Sequence, residues 1–333
     1  MKNTNTLKKI VIALIASSTI ISCERNSSYE DVKPSIAKIA VLNPSFSILE
    51  TAAIKGGLAG VLSNYNSADP SGNYTVFAPT NEAFARLALD SENLSLLDQT
   101  FLESTLKYAV SNGSLPSGSF VPASPVGSLL GPTKRFILRG NDKYINGSKI
   151  ILNDVSAING TVHGIDKVLL ASGANIVNST IAVATGKVFV KPELTYLLAA
   201  VLYVERLMPE VGIVNALATS PSLTVFAPTD QAFIDLGKLL ELPAFTKPTD
   251  VEKIPVATVK AVLFNHVVGG GMFTSEMNAG NLPNLNTTNL ILGAFNNGVL
   301  TVKGPTATIP ANMVIPDIQT TNGVVHIIDR VML

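Results

Sequence analysis

The side chains best suited to acid–base or metal chemistry are scarce: 333 residues carry one cysteine, Cys23, and three histidines, His163, His266 and His326. A zinc site of four cysteines, or of two cysteines and two histidines, is excluded by that count, as is any intramolecular disulfide. His163 and His326 occupy matching places in two similar segments, 159–170 and 322–333, so each segment supplies a single imidazole. A nucleophilic triad needs several groups converging in one pocket. An imidazole in the middle of an apolar strand reads instead as a buried, hydrogen-bonded structural residue. Asp166 and Asp329 follow three residues later on the opposite strand face, as surface or capping residues. His266 gets the same structural reading, and a hydrolase would need it beside a carboxylate such as Glu252 or Glu276. Gly269-Gly270-Gly271 lacks the Lys-Ser/Thr of a phosphate loop, and no serine sits in a Gly-x-Ser-x-Gly elbow. No catalytic residue, metal site or cofactor is expected.

The elements that carry these residues come as an internal repeat. Thr75-Val76-Phe77-Ala78-Pro79-Thr80-Asn81-Glu82-Ala83-Phe84 returns at residues 224–233 with eight of ten positions identical, including Thr224, Phe226, Pro228 and Thr229. Asn159-Gly160-Thr161-Val162-His163-Gly164-Ile165-Asp166 and the four residues after it return at 322–333 with eight of twelve identical. The first blocks lie 149 residues apart and the second 163, so the second copy is longer by 14, partly in the Pro-containing stretch 242–255. Spacings this long describe tandem domains and not a solenoid. Thr-Val-Phe is a strand-forming triplet that the proline stops. Thr80 or Asn81, and Thr229 or Asp230, can then cap a helix whose Phe84 and Leu87, or Phe233 and Leu236, face the core. Asn-Gly signals a hairpin, followed by a strand with Val324, His326 and Ile328 on one side and Val325 and Ile327 on the other. Apolar helical stretches at 46–62 and 194–207 precede each first block. The class is α+β.

The two blocks resemble the signature boxes of the fasciclin domain family. A Leu-x-x-His-Val-Val segment is a third family feature, present around His266 and altered in the first copy, where Ala109 stands at the histidine position. The resemblance covers about 34–172 and 175–333 and implies two tandem domains, each a β-sheet wedge flanked by short helices. It also implies adhesion or binding outside the cytoplasm. Pro316-Asp317-Ile318, matched by Asp154-Val155, resembles the Asp-Ile motif said to engage integrins in animal members, though the same residues can simply end a strand and begin the hairpin. His266, Asp317 and Ile318 are thus the residues singled out for possible binding. The joint 171–175 spans at most about 18 Å, which keeps the domains close. With both boxes, each domain is expected to have its own core, and the second, which keeps His266, to be the better binder.

Composition agrees with an extracytoplasmic setting. Basic and acidic residues number 24 each, so no net positive charge draws the chain to nucleic acid. Charged residues make up 14%, against about 25% in an average soluble domain. At the N-terminus, Lys2, Lys8 and Lys9 precede an apolar run, Ile10 to Ile21, that is short for the ~20 residues of a membrane span. Ser22-Cys23 closes it in a pattern that resembles the lipobox of bacterial lipoproteins. That resemblance implies a signal peptide over 1–22, lipidation at Cys23 and a polar tether over 23–33. Removing 1–22 takes three lysines and no acid, leaving 21 basic against 24 acidic residues, a charge of −3. Glu24 stands where an Asp would mark inner-membrane retention, so the expected place is the outer membrane, anchored by acyl chains, on its periplasmic or outer face. The reading is a lipid-anchored binding or adhesion protein facing an envelope protein or polysaccharide. The alternative is an accessory subunit of an outer-membrane nutrient-uptake assembly, with a hydrolase last.

Overall fold

The described residues, 33–186, 188–189 and 193–333 of a computed structural model, begin with three short helices, α1 (Ile36–Leu42), α2 (Ser47–Lys55) and α3 (Ala59–Ser63). Cys23, the leader and the tether as far as residue 32 lie outside them. The helical stretch expected over 46–62 breaks at Gly56-Gly57, where Gly57 takes φ +73°, and resumes as α3. Then come β1 (Tyr74–Pro79), α4 (Asn81–Ala85), α5 (Gln99–Ala109), β2 (Val110–Asn112), β3 (Pro125–Val126), β4 (Lys134–Arg139), β5 (Asp142–Ile145), β6 (Ser148–Ala157) and β7 (Gly160–Ile165). The second copy follows the same plan. It has α6 (Ile176–Thr185), α7 (Thr195–Leu207), α8 (Ile213–Thr219), β8 (Leu223–Pro228), α9 (Asp230–Leu239), α10 (Val256–Asn265) and β9 (Val267–Gly269). It ends with β10 (Gly280–Pro283), β11 (Asn289–Leu292), β12 (Thr301–Lys303), β13 (Ala311–Thr320) and β14 (Gly323–Ile328).

Each copy forms a seven-stranded sheet of one topology, β2-β1-β7-β6-β5-β4-β3 and β9-β8-β14-β13-β12-β11-β10. The two signature blocks become the central strands. They pair in parallel, Phe77 opposite His163 and Phe226 opposite His326, while every other pair is antiparallel. Alternation along β7 and β14 follows the expected period, yet all their residues are buried. The reason is that each central pair divides two cores. Val76, Ala78 and Val162 face the helices of the first copy, and Phe77 and Ile165 face the inside of its curled sheet. Val225, Ala227, Val325 and Ile327 face the helices of the second, with Phe226 and Ile328 on its sheet side.

The Asn-Gly pairs do make hairpins, β6–β7 and β13–β14. Gly160 and Gly323 adopt φ +149° and +159°, and a Cβ on either would strike the backbone of Tyr74 or Leu223 on the neighbouring strand. Only glycine allows that approach. The asparagines do a second job. Asn159 accepts from Ile36 N and donates to Leu62 O and Asn64 O, and Asn322 accepts from Ile176 N and donates to Leu217 O, Ala218 O and Ser220 O. Each therefore ties the hairpin to the start of one helix and the end of another.

Candidate functional site

The polar residues of the two boxes converge on one loop in each domain, the segment that leaves β2 or β9. Thr75 Oγ1 donates to Gly113 O (2.7 Å) and accepts from Leu115 N (2.8 Å). Thr224 does the same with Gly270 O (2.6 Å) and Met272 N (2.9 Å). The Nε2 of His163 lies 2.9 Å from Leu115 O, and that of His326 lies 3.0 Å from Met272 O. Their Nδ1 atoms accept from the backbone N–H of Asp154 (3.2 Å) and Asp317 (3.1 Å). An N–H can only donate, so the ring proton sits on Nε2 in both domains. Both aspartates occupy irregular positions of β6 and β13 with left-handed φ, +58° and +66°. Their carboxylates turn back to the same loop. Asp154 accepts from Ser117 N (2.7 Å) and Oγ (2.5 Å), and Asp317 accepts from Thr274 N and Oγ1 (both 2.7 Å). Each imidazole stacks on its strand partner, at 5.6 Å from Phe77 and 5.5 Å from Phe226. Burial holds both histidines below their ordinary pKa despite carbonyl and carboxylate neighbours, which keeps the rings neutral.

The remaining box residues close elements. Pro79 and Pro228 end β1 and β8, and Thr80 and Thr229 cap α4 and α9 through Ala83 N and Ala232 N. Asn81 and Asp230 instead reach back to the first turns of α2 and α7, accepting from Ile48 N (3.1 Å) and Tyr196 N (2.9 Å). Asp166 and Asp329 are half-buried and accept from Lys149 N and Asn312 N, fastening the open end of each hairpin.

The three residues singled out for possible binding all turn inward, in line with their structural readings. His266 is 2% exposed, with Nδ1 donating to Val262 O (2.7 Å) and Nε2 accepting from Met332 N (2.9 Å). The histidine therefore gives no reason to prefer the second domain as the binder. Ile318 is in the core, 5% exposed, and the Asp317 carboxylate is held by Lys167 and Thr274. The Asp-Ile motif thus works inward because its aspartate is a turn cap and an ion-pair partner. Glu252 and Glu276 do not meet His266 either: they pair with Arg206 and Arg135.

The second domain's loop also meets the first domain, and the residues that make this contact were not singled out from the sequence. The Lys167 ammonium, on the segment after β7, enters the second domain and donates to Asp317 (2.6 Å), Gly298 O (2.7 Å) and Thr274 Oγ1 (3.0 Å). Arg135 grips Glu276 through Nε (2.8 Å) and the adjacent nitrogen (2.5 Å), and it also donates to Gly271 O. Arg139 donates to Ser275 O and Met277 O and lies over the Phe295 ring. Ser275 Oγ donates to Asn146 O. The joint adds to this, with Gln319 N bonded to Leu170 O and Ser172 N to Gln319 O. Beyond the short joint, the sequence signal for this contact is a pair of arginines, with a lysine beside them, on one strand of a sparsely charged chain. That neighbour, Lys134, is itself buried, and among the described residues its ammonium hydrogen-bonds only to carbonyls, Tyr108 O (2.7 Å), Gly127 O and Val110 O. Burial pushes its pKa down to about 7.

Residues 44–171 and 203–333 match the fasciclin domain family. Protein sll1483 of Synechocystis sp. is 34% identical over 142 residues, 42% of this chain and 75% of that protein. Immunogenic protein MPB70 of Mycobacterium bovis is 33% identical over 138 residues, 40% of this chain and 68% of that protein. Transforming growth factor-beta-induced protein ig-h3 of Sus scrofa is 31% identical over 144 residues, 43% of this chain but 20% of that larger protein. Among solved structures, a FAS1 domain pair from the insect cell adhesion molecule Fasciclin I aligns over 89% of this chain and 95% of that one, at 17% identity and a TM-score of 0.36.

Proposed function

This chain belongs to the fasciclin domain family, and we propose that it is a lipid-anchored binding protein acting outside the cytoplasm. Its two domains present one fixed surface to an envelope protein or polysaccharide. The observation that carries this reading is the fate of the reactive side chains. All three imidazoles have both ring nitrogens bonded to backbone groups, and the box carboxylates are spent on turns and hairpins. Those groups serve the fold, which supports a role carried by surface. The anchor is argued from Lys2, Lys8, Lys9, the short apolar run and Ser22-Cys23. Two or more acyl chains hold a protein stably at a bilayer.

Cell fractionation of Cys23→Ser tests the anchor: the protein should leave the membrane fraction or fail to be processed. Mature variant protein still sedimenting with membranes overturns it. Binding is tested by immobilising residues 33–333 and passing solubilised envelope proteins and envelope polysaccharides over them. Saturable retention of one component is expected, and retention of none counts against the proposal.

A further inference from the structure

The two domains form a natural control for each other, and at one place they differ. Between the helices and the central strands of the first domain lies an open-ended cavity of about 310 Å³. Its counterpart in the second domain has shrunk to about 50 Å³. That the two are equivalent follows from their walls: Val76 and Val225 on the strands, Leu106 and Leu263 on α5 and α10, Ile36 and Ile176 on α1 and α6. The Asn81 and Asp230 bonds to Ile48 N and Tyr196 N align α2 with α7, which sets Glu50 opposite Leu198 and Ala53 opposite Val201. The third family segment sets Ala109 opposite His266. All six line their cavities. The first domain is thus hollow because it is trimmed at Ala53 and Ala109, and Glu50 replaces a leucine.

We propose that this cavity is a binding site for the hydrocarbon chain of a single-tailed amphiphile, a medium-chain fatty acid. Apolar cavities of about 150 Å³ stay dry and take up benzene. Twice that volume holds about a dozen carbons. A lipid with two tails would leave one in water. Among the described residues the lining is mostly aliphatic, with Phe46 and Phe77 the aromatic members and Ser35 and Ser63 its uncharged polar ones, and Val41 and Ile54 in it are 51% and 63% exposed, so a chain meets mainly apolar surface from solvent inward. Among the described residues the charged lining members are one lysine, Lys38, and one glutamate, Glu50. With no net charge at the lining, recognition rests on the chain. This site is independent of whatever larger partner the surface engages.

Titration calorimetry of residues 33–333 with the saturated fatty acids from hexanoate to hexadecanoate tests it, below their micellar concentrations. One site per chain is expected. Affinity should rise about fourfold per added methylene, then level off near twelve carbons when the cavity is full. The variant carrying Glu50→Leu and Ala53→Val, the residues of the closed domain, should keep its melting temperature and bind dodecanoate at least tenfold more weakly. Absence of dodecanoate binding overturns the proposal, as does affinity that climbs without a plateau to hexadecanoate. Unchanged binding in a folded double variant overturns the assignment to this cavity, and should that variant not fold, Ala53→Val alone and the chain-length plateau decide.

Discussion

A proton added to the His266 ring meets a backbone N–H, because Nε2 already accepts from Met332 N while Nδ1 donates to Val262 O. This is the opposite tautomer from His163 and His326, whose Nδ1 atoms are the acceptors. Burial drives the His266 pKa from 6.5 to about 4. The unfolded chain takes up a proton near 6.5 and the folded chain does not until about 4, so stability is full above pH 6.5 and falls as pH drops through that window. The loss is at most about 3 kcal/mol from this residue. Denaturant midpoints at pH 7 and pH 4.5 should differ less in His266→Gln than in the parent, and equal differences would refute the assignment. Lys134 acts in another window. Its pKa falls from 10.5 to about 7 on burial, so the unfolded chain holds the proton more tightly and stability rises between those values. Melting temperatures from pH 7 to pH 9.5 should climb in the parent and flatten in Lys134→Met relative to it. A parallel climb in both sinks the idea.

Elements here are fastened by side chains that reach across sequence, and Asn322 shows the scale of this. Its amide satisfies groups at the start of α6 and the end of α8, where helix termini leave backbone polar groups without partners. Asn322→Ala strands several of them at once, and a loss of at least about 2 kcal/mol is expected in urea unfolding. A loss below about 0.5 kcal/mol would mean that water replaces the amide. The Asn-Gly pair was readable as a turn because Gly160 and Gly323 answer a local backbone need. The clamp was not, since its partners lie 102 to 146 residues upstream. The same division runs through the rest. Thr-Val-Phe-Ala-Pro followed by a cap is local chemistry, and β1, β8, α4 and α9 appear where the pattern puts them. Burial of β7 and β14 on both faces depends on what packs behind the sheet. So does the inward turn of Asp317, which the motif resemblance singled out for possible binding.

At the scale of the whole molecule, Lys167 is a buried cation that joins the two domains. It is 6% exposed, and its partner Asp317 is 9% exposed. Burial alone would push the Asp317 carboxyl up, yet Lys167 and the Thr274 N–H hold it below its ordinary value. Gly147, on the first domain's β5–β6 turn, approaches the same carboxylate so closely that a Cβ there would collide with it. The hydrophobic cores also run together, with Leu87 and Val168 packed against the helical core of either domain. A short joint makes contact possible, but the paired charges, the arginine grip and the shared packing make it specific. Calorimetric unfolding of residues 33–333 should therefore give one cooperative transition, with the calorimetric enthalpy equal to the van't Hoff enthalpy. Lys167→Met leaves Asp317 buried without its counter-ion, which costs about 3–5 kcal/mol when one member of a buried pair is removed. Because that loss falls on the contact, it should separate the single transition into two, the domains melting in succession. Gly147→Ala should do the same by steric means without touching a charge. Two resolved transitions in the parent, or one undivided transition in both variants, would mean that the domains are coupled by something other than the Lys167–Asp317 contact.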